Sequence, residues 1–146
     1  MQDDLQKTLD FAIAKEEQAE TFYREWADKA RIPGVKTLFA ELAAMERAHA
    51  EKLRQATPST LIAAPDTPSD LRLSELLVDI EASPSMSLQE AMIVAMKREE
   101  AAVELYERLA TLGGDAQPIF QALAEEERSH KHRLEMEYDD SILTEN

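Results

Sequence analysis

The sequence predicts an all-α fold, an antiparallel four-helix bundle built from two repeated helical hairpins joined by a long crossover that contains a short helix. Three observations lead there. Composition is the first: 3 Gly, no Cys and 5% aromatic residues among 146 favour helices over a sheet. The second is four long stretches in which apolar residues recur at helical spacing. The third is an internal repeat, for Phe39, Leu42, Glu46, His49 and Leu53 return as Phe120, Leu123, Glu127, His130 and Leu134, each shifted by 81 positions.

The first helix runs from Asp3 or Asp4 to about Ala30 through Leu5, Leu9, Ile13, Phe22, Tyr23 and Trp26, with acids in its first turn. Glu16 and Tyr23 lie two turns apart on it and so share a face. Pro33 and Gly34 break the pattern, and a second helix follows from about Val35 to Ala56. From Thr57 to Met86 the composition shifts to Pro, Ser and Thr, with a short helix expected over Ser69 to Ala82 from the spacing of Leu73, Leu76, Leu77 and Ile80. Such a connection is long enough to run the length of a helix, which makes it a crossover. Ser87 to Glu90 has the form of a capping box and opens a third helix reaching about Leu112, ended by Gly113-Gly114. Asp115 is the expected N-cap of a fourth helix, with Pro118 in its first turn, that continues to about Tyr138. The tail from Asp139 to Asn146 is polar and expected to be disordered.

Length and 44% hydrophobic content fit one domain, residues 1–146, with a sizeable core. A formal charge of −14, from 30 acidic against 16 basic residues, argues against nucleic acid or an anionic membrane as partner and for cations. Without Cys there is neither a disulfide framework nor a thiolate metal site. The N-terminus lacks the pattern of a signal peptide and no apolar run approaches a membrane span, so a cytoplasmic protein is expected.

The first and third helices repeat as well, with Glu16, Ala19 and Tyr23 returning as Glu99, Ala102 and Tyr106, shifted by 83. Each hairpin therefore offers one Glu from its first helix and Glu-x-x-His from its second. A Glu and a His three positions apart share a helix face. In an antiparallel hairpin, residues equidistant from the turn lie level. The midpoint of Glu16 and Glu46 falls at residue 31, beside the Pro33-Gly34 break, and that of Glu99 and Glu127 falls at Gly113. Packed face to face, the hairpins bring four carboxylates and two imidazoles together. Such a cluster repels itself unless cations neutralise it, and two divalent ions would do so. Mixed carboxylate and imidazole ligation suits iron or manganese, the pattern of dimetal carboxylate bundles.

At these residues the sequence resembles the ferritin-like superfamily, most closely its rubrerythrin or erythrin branch, over essentially the whole chain. The resemblance implies Glu16 and Glu99 as the more terminal carboxylates, Glu46 and Glu127 as bridges, and His49 and His130 each on one metal, for two Fe ions per chain, with Mn as the alternative. Tyr23 and Tyr106, the candidate catalytic residues beyond the ligands, resemble the family's tyrosines that hydrogen-bond ligand carboxylates. They can also be read as ordinary core residues with satisfied hydroxyls. Two positions depart from the family. Ala102 stands where a further carboxylate is usual, which leaves a symmetrical six-ligand set like that of bacterioferritin. A Cys-rich rubredoxin domain is also expected to be lacking, so that electrons come from another protein or from ferrous iron.

The function this implies is a di-iron oxidoreductase acting on hydrogen peroxide or O2. The alternatives are a ferroxidase that stores or handles iron, as in bacterioferritin, and a metal-stabilised module without turnover. The expected partners are the oxidant, an external electron-donor protein or ferrous iron, and further copies of the chain in a homodimer or larger homo-oligomer. Glu17, Glu20, Glu100, Glu125 and Glu126 read as surface charge, with Glu20 one turn from Glu16 and within reach of the site. His132 reads as exposed, and Met45, Met92 and Met96 as core filling.

Overall fold

The computed structural model describes residues 2–57, 60, 73–77 and 79–143. Four long helices carry the fold: α1 (Gln2–Lys29), α2 (Pro33–Leu53), α3 (Leu88–Ala110) and α4 (Gln117–Glu137), with no strand among the described residues. α1 packs on α2 and α3 on α4, giving the predicted pair of hairpins in an all-α four-helix bundle. Two contacts fix the direction of the connection between them. Gln89 donates its side-chain amide to Tyr138 Oη at 2.8 Å, so α3 begins where α4 ends. The Ala116 N–H donates to the Thr60 carbonyl at 2.7 Å, so the α3–α4 turn lies beside the chain leaving α2. The link from α2 to α3 must therefore travel the length of the bundle, as a crossover does.

The helix ends follow local chemistry. Pro33 opens α2, and Lys36 turns its ammonium back onto the last carbonyls of α1, at 2.6 Å from Ala27 O and 3.1 Å from Ala30 O. A cation is favoured there because those carbonyls have no helical partner and carry the negative end of the helix dipole. Ser87 and Glu90 form the expected capping box at the start of α3. Gly113 ends the following turn with φ 72°, a left-handed conformation that costs any residue with a Cβ. At α4 the expectation fails by one residue. Ala116, not Asp115, occupies the N-cap and makes no side-chain cap, while Gln117 ties the new helix to Ala110 O at 2.9 Å.

Two further expectations are corrected. In the crossover, the described part of the expected Ser69–Ala82 helix is a single 3-10 turn, Leu73–Leu76, and residues 77 and 79–82 are not helical; residues 69–72 and 78 lie outside the described residues. The apolar spacing there serves as anchorage, because Leu76 and Leu77 pack against the core while Asp79 pairs with Lys15 at 2.5 Å and the Ile80 carbonyl accepts from Arg98 Nε at 2.9 Å. The beginning of the tail is ordered as one π-helical turn, Tyr138–Ile142, because Ile142 is buried against the bundle; residues 144–146 lie outside the described residues.

The core is split. One apolar cluster gathers Leu5, Leu9, Leu53, Leu109, Phe120 and Leu123, and the other gathers Phe22, Val35, Phe39, Leu42, Met92 and Leu134. Between them lies a polar layer. No helix among the described residues is long and apolar enough to cross a membrane. Because the Ser87 hydroxyl accepts from the Glu90 N–H at 3.1 Å, Ser87→Ala is expected to cost about 1 kcal/mol of folding stability. Chemical denaturation measures this, and an unchanged midpoint would show that the box contributes nothing.

Candidate metal centre

The polar layer is made by six side chains, and none is more than 3% exposed: Glu16, Glu46, His49, Glu99, Glu127 and His130. α1 and α3 each supply one Glu, and α2 and α4 each supply a Glu and a His from one face. The repeat thus delivers all six residues singled out in the sequence to one place. Their donor atoms form two overlapping quartets, Glu16, Glu46, His49, Glu127 and Glu46, Glu99, Glu127, His130, with the atoms of each within 4.8 Å of one another. Glu46 and Glu127 belong to both.

The polar atoms facing the interior lack hydrogen-bond partners. Glu16 Oε2, Glu46 Oε1, Glu99 Oε2, Glu127 Oε1 and the Nδ1 atoms of both histidines are buried without one. His49 Nδ1 approaches Glu127 Oε1 at 2.5 Å and His130 Nδ1 approaches Glu46 Oε1 at 2.8 Å, yet neither approach has hydrogen-bond geometry. The two imidazoles stack with centroids 5.5 Å apart. Lone pairs converging on one another in an apolar interior are costly unless something electropositive sits between them. Carboxylate oxygens and imidazole nitrogens, without sulfur, are the donors that iron or manganese takes.

The outward-facing carboxylate oxygens are held. Tyr23 Oη donates to Glu99 Oε1 at 2.6 Å, and Tyr106 Oη donates to Glu16 Oε1 at 2.5 Å. Each tyrosine thus serves the Glu of the opposite hairpin, a crossing that the shared face of Glu16 and Tyr23 on α1 did not reveal. Phe39 and Phe120 lie against the two rings, with centroids at 5.6 and 6.1 Å. Burial, and after it the charge of the carboxylate each one serves, pushes both phenols well above their ordinary range, so both remain protonated donors.

Of the acids read as surface charge, four take surface partners. Glu17 pairs with Arg54 at 3.3 Å, Glu20 with Arg24 at 3.2 Å, Glu100 with Lys131 at 3.8 Å and Glu125 with Arg128 at 2.5 Å. Glu20 therefore turns to Arg24 on its own helix. Glu126 departs from that reading, because its Oε2 lies 2.8 Å from His49 Nε2. Its only sequence signal was its place beside Glu127. Met45 is corrected too: at 37% exposed it is not core filling, whereas Met92 is buried, Met96 packs against the core and His132 is exposed.

Without metal the cluster is electrostatically strained. Burial first, and then repulsion from Glu99 and Glu16, pushes the Glu46 and Glu127 carboxyls well above their ordinary range. Glu99 goes the other way: burial would raise it, but its close neighbours Glu127, His130 and Tyr23 together outweigh burial and lower it. Burial would lower His49, but Glu16, and then Glu126, outweighs it and the net direction is up.

A helical bundle with paired Glu and Glu-x-x-His sets aimed inward has the pattern of the ferritin-like carboxylate proteins, and its buried Glu and His group could hold metal. A family model described as Rubrerythrin matches residues 7–138, and the chain belongs to the rubrerythrin family. Neither the curated proteins nor the solved structures give a match to the chain.

The raised Glu46 and Glu127 carboxyls set a pH dependence. A group whose folded pKa is raised stabilises the fold below its unfolded value, here 4.5, and loses that contribution as pH rises through the folded value. The raised His49 acts in the same sense, and the lowered Glu99 matters only below its ordinary value. The metal-free protein is therefore expected to melt higher at about pH 5.5 than at about pH 7.5. The double variant Glu46→Gln, Glu127→Gln is expected to flatten this dependence and to melt higher at neutral pH, by about 4 °C for each kcal/mol relieved. Parallel pH profiles for the parent and the double variant, read by calorimetry, would show that these two carboxyls are not the strained pair.

Proposed function

We propose that the chain is a di-iron oxidoreductase that reduces hydrogen peroxide. The observation that carries this reading is the pair of overlapping quartets, in which each of six buried side chains leaves at least one atom unpartnered. Glu16, Glu46, His49 and Glu127 would hold one ion, and Glu46, Glu99, Glu127 and His130 the other, with Glu46 and Glu127 shared. Two ferrous ions held there would supply the two electrons that, with two protons, convert one peroxide to two waters.

The chain's own residues supply position, protons and a protected approach. Tyr23 and Tyr106 fix the outer oxygens of Glu99 and Glu16, so that each carboxylate presents its other oxygen inward. Their retained hydroxyl protons lie at the edge of the site, where an oxygen being reduced needs them. A cavity of about 60 Å³ between α1 and α3 reaches the same edge, lined by Ala12, Ala19, Leu76, Ala102 and Leu105 as well as by Glu16, Glu99 and both tyrosines. Room for a few waters in an apolar lining suits a small uncharged oxidant and excludes larger substrates. Ala102 keeps that space open, since a carboxylate there would fill it. Re-reduction of the iron would draw on an electron-donor protein. Further copies of the chain, as a homodimer or larger homo-oligomer, belong to the same proposal.

The formal charge of −14 favours a second reading, a ferroxidase that handles iron, because an acidic surface concentrates ferrous ions. Anaerobic loading with ferrous iron separates the two. Two ions per chain are expected to bind, one peroxide to be consumed per pair and O2 to react more slowly. Equal rates with O2, together with excess iron oxidised and retained in a large assembly, would establish the ferroxidase reading instead. The double variant Glu46→Ala, Glu127→Ala is expected to lose both ions together, and full iron content by elemental analysis would overturn the ligand assignment.

A further inference from the structure

The two halves of the centre obey a pseudo-two-fold relation that exchanges α1 with α3 and α2 with α4. The contacts come in matched pairs. His49 Nδ1 lies 3.6 Å from Glu16, and His130 Nδ1 lies 3.7 Å from Glu99. Each histidine lies 3.8 Å from the Glu three residues before it on its own helix. The cross-hairpin approaches are 2.5 and 2.8 Å, and the tyrosine hydrogen bonds are 2.6 and 2.5 Å. Formal ligands and their tyrosines therefore match to within 0.3 Å.

The relation breaks one atom further out. His49 Nε2 has Glu126 Oε2 at 2.8 Å, and Lys52 Nζ lies 3.9 Å from that same oxygen. His130 Nε2 is buried and has no hydrogen-bond partner. The repeat explains the difference, because the shift of 81 that carries Glu127 onto Glu46 carries Glu126 onto Met45. A thioether is at best a weak acceptor and cannot replace a carboxylate.

We infer that the two metal positions are unequal, with the one on His49 tighter because Glu126 holds the far nitrogen of that imidazole, and the one on His130 weaker because Met45 cannot do the same. This rests on the reading that the quartets hold metal ions. A carboxylate accepting from Nε2–H keeps the proton on that nitrogen, leaves the lone pair on Nδ1 facing the quartet, fixes the ring and makes the ligand more basic. His130 has no such restraint. Glu126 is thus a positioning residue acting through His49, and such partners typically change metal affinity by about 10–100-fold. At limiting metal the His49 position fills first, and the second ion exchanges more readily.

Anaerobic titration with cobalt(II), which binds without turnover, tests this by calorimetry and visible absorption. The parent chain is expected to take up two ions in steps separated by about 10–100-fold in affinity. Glu126→Met is expected to weaken the tighter step by that factor and to abolish a slowly exchanging, paramagnetically shifted imidazole N–H proton signal, with the weaker step unmoved. Met45→Glu is the gain-of-function arm, accessible because this side chain already reaches solvent. It is expected to tighten the weaker step and to add a second slowly exchanging N–H signal. Two equal steps in the parent, or a weaker step unmoved by Met45→Glu, would overturn the inequality while leaving a metal centre in place. No uptake of cobalt by the parent would overturn the metal reading beneath it.

Discussion

Four carboxylates and two imidazoles buried in the middle of an apolar bundle set the terms for the rest of this structure. Moving one charged group out of water costs several kcal/mol even after relaxation, and like charges a few ångströms apart add to that cost. The fold holds them together by distributing its apolar packing on both sides of the layer. One cluster is built around Leu9, Leu109 and Phe120, the other around Phe39, Leu42 and Leu134. Each helix is thus apolar toward its ends and polar at its centre. The layer is a locally unfavourable feature carried by favourable ones above and below, as expected where a site's chemistry, rather than stability, decides the residues.

Much of this was legible from spacing alone. Glu16 with Glu46, and Glu99 with Glu127, are level because a hairpin sets height by distance from its turn, and Pro33 and Gly113 mark those turns in the chain. Glu and His three residues apart must share a face. Those facts needed no knowledge of packing. What escaped depended on contacts between elements. The crossover's leucines carry helical spacing, yet the described segment forms one turn, since Lys15 and Arg98 hold Asp79 and the Ile80 carbonyl from outside. Ile142 lies in a polar tail but finds an apolar cluster to enter. Asp115 has the right chemistry for a cap and sits one residue too early.

Glu126 and Met45 show the same limit within the site. On their own helices, each stands beside a ligand and reads as ordinary, one as surface charge and the other as core filling. Only the facing helix gives either a role, because Glu126 reaches His49 on α2 from α4. A repeat in sequence finds the residues that must match for the site to close. It also gives, once the contacts are known, the position where matching was not maintained.

The single crossover adds a second asymmetry of a different kind. The hairpins repeat, but a single connection joins them, and its described part lies over the α1–α3 side, where Leu76 and Ile80 wall the cavity. On the α2–α4 side, among the described residues, Met45 and the Glu126 carboxylate reach solvent. The centre therefore has on one side a small, mostly apolar cavity that Lys15 and Arg98 also line, backed by protonated tyrosines, and on the other a carboxylate that reaches His49. A symmetrical group of buried Glu and His side chains is thus wrapped by a connection that cannot be symmetrical, and its two sides differ in what lies against them.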